Sequence, residues 1–71
     1  MAANTGTNDP TYNLVSVLYH ALQGADLYEK YASDAGGDQD LVNFFREAQQ
    51  QEKQRAERAK QLLGKRLQQG G

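Results

Sequence analysis

Two apolar series with the same four-three rhythm, separated by Gly36-Gly37, constrain this chain more than any other feature. Leu14, Leu18, Ala21, Ala25, Tyr28, Ala32 and Ala35 make the first. Leu41, Phe45, Ala48, Glu52, Arg55, Ala59 and Leu62 make the second, with charge at two of its seven positions. Residues at such steps fall on one side of an α-helix, so each series predicts an amphipathic helix that packs along a seam. Val15, Val17, Leu22 and Tyr31 widen the first stripe, and Val42, Phe44, Ala56 and Leu63 flank the second.

The punctuation agrees with two helices. Asp9-Pro10 combines an N-cap acceptor with a proline at the first helical position, where its missing N–H costs nothing. Helix 1 is expected over about residues 10–35. Gly36-Gly37 supplies the left-handed residue that ends a helix, and Asp38 or Asp40 can cap the next. Helix 2 is expected from about Gln39 to Gln68, with Lys65 and Arg66 at the negative end of its dipole and Gly64 as a point of late fraying. Residues 1–8 are small and polar and are expected to be a disordered tail. Residues 9–69 then form a single helical-hairpin domain, all-α and antiparallel.

A hairpin of this size needs support. A 71-residue chain buries a modest share of its surface, and its helices, about 40–45 Å long at 1.5 Å per residue, would cover only one stripe on each other. There is no cysteine and a single histidine, which excludes disulfides and leaves nothing for a thiolate or ordinary zinc site. A second copy remains, and a homodimer or higher homo-oligomer, each hairpin supplying half of a four-helix bundle, is the simplest closure. No apolar run approaches the roughly 20 residues that span a bilayer, and the first residues have neither a basic start nor an apolar core. A cytosolic address without membrane contact is expected.

Charge is divided along the chain. Residues 1–40 carry Asp9, Asp26, Glu29, Asp34, Asp38 and Asp40 against Lys30, whereas residues 41–71 carry seven bases against Glu47, Glu52 and Glu57. The division predicts an acidic helix beside a basic one. Nucleic-acid binding by the basic half is disfavoured, because its cations are interrupted by glutamates and its glutamine runs carry no base-stacking groups.

Glu52 and Arg55 fall three apart on the face expected to be buried, where an unpaired charge is costly. In helix 1, Asn13-Leu14, Gln23, Tyr28 and Ala32 resemble the first helix of rubrerythrin-type proteins. Ala25-Asp26-Leu27-Tyr28 is similar to the Val-Asp-Trp-Tyr of two-helix encapsulated ferritins, and Glu52-Lys53-Gln54-Arg55-Ala56-Glu57 to a Glu-Lys-Glu-His-Ala-Glu segment. The resemblance to the ferritin-like superfamily covers residues 13–63 and implies a four-helix bundle with a di-iron site. Its first-helix glutamate ligand falls on Ala21, its second-helix glutamate on Glu52 and its histidine on Arg55. One ligand of three is kept. Alanine cannot coordinate and arginine stays protonated, so the resemblance implies the packing with the metal site dismantled.

The expectation is a charged layer in the dimer interface, with Arg55 paired to Glu52 of its own or the partner chain. No catalytic, cofactor-binding or metal residue is expected. The alternative is a displaced iron site built on His20 with Glu52 or Glu29, although His20 points to the flank of the helix. Tyr12, Tyr19, Tyr28, Tyr31, Phe44 and Phe45 are expected to fill the core and its rim. No nucleophile or phosphate loop accompanies the lone histidine. The functional expectation is a non-enzymatic, ferritin-like, homo-oligomeric structural or protein-interaction module. Two alternatives stand beside it: an iron-binding or iron-oxidising protein with a non-standard site, and an adaptor whose basic second helix docks on an acidic partner or nucleic acid.

Overall fold

The computed structural model describes residues 9–69, so the expectation for residues 1–8 lies outside the described residues. Two helices, α1 (Pro10–Asp34) and α2 (Gln39–Gln68), fold back on each other, with no strand among the described residues. The caps form as the sequence dictates. Asp9 Oδ1 accepts from the backbone N–H groups of Thr11 at 3.0 Å and Tyr12 at 3.3 Å, two of the donors a helix start leaves unpaired. Asp38 Oδ1 does the same for Leu41 N–H at 3.2 Å. Between them Gly36 takes a φ of +62°, a left-handed conformation that a side chain opposes, and the chain reverses between Ala35 and Asp38.

The first seam is the expected one. Ala21, Ala25 and Ala32 are buried, and Leu14, Leu18, Tyr28 and Ala35 are half-buried beside them. On α2 the contact runs through Val42, Phe45, Gln49, Glu52, Ala56, Ala59, Leu63 and Arg66, all buried or half-buried. This corrects the second series in part: Phe45, Glu52 and Ala59 stay, Ala48 and Leu62 are half-buried at the edge, and Leu41 and Arg55 are exposed, the centre of the contact shifting toward Val42, Gln49, Ala56 and Leu63. One position is about 100° of helical rotation. The rotation carries Arg55 outward and brings Ala56 inward, where it is 3% exposed.

Every buried apolar residue among those described is an alanine: Ala21, Ala25, Ala32, Ala56 and Ala59. Small side chains let the two backbones approach closely. The carboxamide of Gln49, itself buried, reaches across the seam and donates from Nε2 to the main-chain carbonyl of Ala25 at 3.0 Å. A carbonyl has two lone pairs, so this bond adds to the helical ladder without displacing it. At the open end of the hairpin, Arg66 Nε donates to Thr11 Oγ1 at 2.9 Å. At the turn end, the Phe45 ring contacts Tyr31, Phe44 and Tyr28 with centroids 5.6, 5.7 and 6.5 Å away.

The resulting body measures 49 × 27 × 13 Å between Cα atoms, the thickness of a single layer of helices. Domains ordinarily bury their apolar faces between two packed layers. Here the seam between two helices is the whole interior.

Two substitutions test the closeness of this seam. A Cβ added at Gly24 would meet Glu52 Cγ at 3.5 Å and Cδ at 3.6 Å, ordinary contact distances, so Gly24→Ala is expected to raise stability by about 1 kcal/mol through helix propensity. Ala56→Leu, by contrast, forces three carbons into a filled seam and is expected to cost about 1–3 kcal/mol. Urea unfolding followed by far-ultraviolet circular dichroism reads both.

Candidate interaction surface

The side chains too large for the alanine seam line its two sides. Val17 and Tyr31 of α1 and Leu41, Phe44 and Leu62 of α2 share one broad side of the hairpin. Two concavities open on it. A groove of about 610 Å³ at the open end is lined by Leu14, Val17, Leu62 and Ala59, with Gln51, Gln54, Arg55 and Arg58 as its polar wall. A smaller one of about 230 Å³ at the turn end is lined by Tyr31, Asp34, Ala35, Leu41 and Phe45. The opposite side is apolar chiefly on α1, and α2 adds Leu67 near its end, 63% exposed. Tyr12, Val15, Tyr19 and Leu22 recur there at steps of three and four along the first half of α1, but α2 faces the same way with Arg46, Lys53 and Lys60. Phe44 and Tyr19, on opposite sides, are each 61% exposed.

The charges are arranged by end rather than by helix. Because the chain folds back at Gly36, the acidic second half of α1 lies beside the acidic start of α2. Residues 23–48 hold Asp26, Glu29, Asp34, Asp38, Asp40 and Glu47 against Lys30 and Arg46. The rest of the described hairpin holds Lys53, Arg55, Arg58, Lys60, Lys65 and Arg66 against Asp9, Glu52 and Glu57. The turn end is acidic and the open end basic, which corrects the expected pairing: within the hairpin the acidic stretch of α1 lies beside acids of α2, and the basic stretch of α2 beside a nearly uncharged part of α1.

Glu52 lies against Gly24 with its side chain 22% exposed, and Arg55 Nη1 donates to Glu52 Oε1 at 2.6 Å within the same helix. Arg55 itself is 54% exposed on the side that carries the larger groove. The pair therefore straddles the edge of the seam, with the carboxylate in and the guanidinium out.

The other candidate residues are not brought together within one chain. His20 is exposed with its ring edge-on to Tyr19 at 5.5 Å, and Glu29, nine positions later, points half a turn away on the far side of α1. Among the described residues no group of three or more histidine, cysteine, aspartate or glutamate side chains is close enough to hold a metal ion. The positions that resemble di-iron ligands do not fit iron: Ala21 has no donor atom and is packed in the seam, and the Glu52 carboxylate is engaged by a cation. Lys30 and Asp34 make a further exposed pair at 3.0 Å, one turn apart.

Sequence reasoning missed Gln49 and the Arg66–Thr11 bond. The signal for Gln49 was its place in the series Val42, Phe45, Gln49, Glu52, Ala56, which has the same rhythm as the one chosen. No described helix is long and apolar enough to cross a membrane. No protein-family model, curated protein or solved structure matches this chain.

An exposed intrahelical pair gains little, because water screens it and two long side chains must be held in place. A double-mutant cycle on Glu52→Gln and Arg55→Gln is expected to give a coupling energy of about 0.3–0.5 kcal/mol in the isolated hairpin. A larger coupling that depends on protein concentration would place the pair in an intermolecular contact.

Proposed function

We propose that this chain is a cytosolic, non-enzymatic homo-oligomeric module, whose hairpins pair into a four-helix bundle with ferritin-like packing and serve a structural or protein-interaction role. The observation that carries the reading is the single-layer architecture: the buried apolar residues are alanines, while large side chains on both helices, Phe44 and Leu41 among them, remain uncovered. A monomer that leaves contiguous apolar faces in water forgoes the main favourable term in folding. A second hairpin laid on the first supplies the missing layer without any new segment of chain.

The non-enzymatic part rests on chemistry. Glu52 and Arg55 neutralise each other, and no group of three or more histidine and carboxylate side chains gathers among the described residues. The larger groove is lined by apolar, amide and guanidinium groups, with Asp34 the one carboxylate lining the smaller. The resemblance of residues 13–63 to a di-iron bundle sequence, without a donor set that fits iron, supports a role in assembly.

Sedimentation equilibrium is expected to give at least twice the chain mass of 7.9 kDa at micromolar concentration. Ferrous iron added to the same sample is expected to cause no oxygen consumption above buffer and to leave no stoichiometric bound metal. A monomer at all concentrations overturns the assembly, and one bound iron or more per chain with oxygen uptake overturns the non-enzymatic reading.

A further inference from the structure

Resting on the homo-oligomeric reading, we infer that two copies pair head to tail through the side bearing Val17, Tyr31, Leu41, Phe44 and Leu62, with the turn end of each over the open end of the other. The two-fold axis then runs across the helices. Three observations select this arrangement.

The first is electrostatic. A two-fold axis along the helices would stack one acidic turn end on another and one basic open end on another. An axis across them stacks acid on base at both ends, so the same contact is favourable twice. The charges that do this, such as Asp34 and Asp40 at one end and Arg55 and Arg58 at the other, lie at the rim, where they orient the encounter and fix the register.

The second is shape. The turn end presents the exposed Phe44 ring, with Tyr31 at the edge of the smaller hollow, and the open end presents the groove of about 610 Å³ lined in part by Leu14, Val17 and Leu62. Head-to-tail pairing brings ring to groove. There the guanidinium groups of Arg55 and Arg58 meet the π-face of Phe44 from the partner copy, a contact with its own attraction. The third observation is the choice of side. α2 contributes Leu41, Phe44 and Leu62 along this side, whereas on the opposite side it contributes Leu67 alone beside Arg46, Lys53 and Lys60. The face, 49 × 27 Å between Cα atoms, has room for the roughly 800 Å² per partner of a standard stable interface.

The absence of cysteine makes a direct test possible. Gly37 lies in the connection without a positive φ, and a Cβ added there meets nothing within 4 Å, so Gly37→Cys carries a nitroxide label without disturbing either helix. In the full-length protein, with mass measured on the same sample, the inference expects a dimer whose two labels are about 40 Å apart, the length of the hairpin. A dimer with labels closer than about 20 Å overturns the head-to-tail orientation and leaves the homo-oligomeric reading standing; a monomer overturns both.

The side is tested by matched substitutions at equally exposed rings. Phe44→Lys is expected to weaken association by about tenfold or more, and Tyr19→Lys to change it less than about twofold. The reverse pattern overturns the assignment of the face. Helicity of each variant is followed by circular dichroism, and the label distance remains decisive should Phe44→Lys fail to fold.

Discussion

The close approach of two backbones across alanine governs everything else in this molecule. Ala21, Ala25 and Ala32 on one helix and Ala56 and Ala59 on the other leave so little space between the axes that a glutamine side chain bonds directly to the opposite main chain. A leucine seam would have held the helices further apart and hidden more apolar area per residue. The alanine seam hides little: Leu14, Leu18, Tyr28, Phe45 and Leu63 are only half-buried along it, and Tyr19, Leu22 and Phe44 stand outside. Stability and surface character thus have one origin: the narrow interior that positions the hairpin is also what leaves it with two apolar sides.

Gln49 adds direction to this contact. Alanine against alanine is tolerant of sliding, because identical small knobs recur every turn. A buried amide with one carbonyl within reach is not. Displacement along the seam would strand the carboxamide away from water, at a cost of about 1–3 kcal/mol, so the bond to Ala25 favours one register over its neighbours. Arg66 with Thr11 at the open end and the Phe45 ring cluster at the turn end mark the two limits of the same register.

Much of this was legible in the residues. Asp9-Pro10, Gly36 and Asp38 announce both helix starts and the reversal, and the first seam follows from Leu14 to Ala35 without exception. The second helix was ambiguous for a physical reason. Two series share Phe45, Glu52 and Ala59; one adds Leu41, Ala48, Arg55 and Leu62, the other Val42, Gln49, Ala56 and Leu63. Hydropathy favours neither clearly. What separates them is proximity: a close seam accepts Ala56 and a bonding Gln49 and expels the long guanidinium of Arg55, and neither the closeness nor the Ala25 carbonyl is visible in a one-dimensional pattern. The charge division at residue 40 predicts, on its own, a contrast between helices. It becomes a contrast between ends only once the turn is known to fall within the acidic stretch.

The geometry of the open end has a mechanical meaning. Residue 9 and residue 69 lie at the same end of the hairpin, beside the Arg66–Thr11 bond, because α1 and α2 run in opposite directions from a single reversal at Gly36. Tension applied between those two points therefore pulls perpendicular to the seam and loads one contact at a time, beginning with Arg66 and Thr11 and moving toward the aromatic cluster. Such a hairpin peels, yielding gradually at low force, while the same two helices pulled along their axes would have to break the whole seam at once.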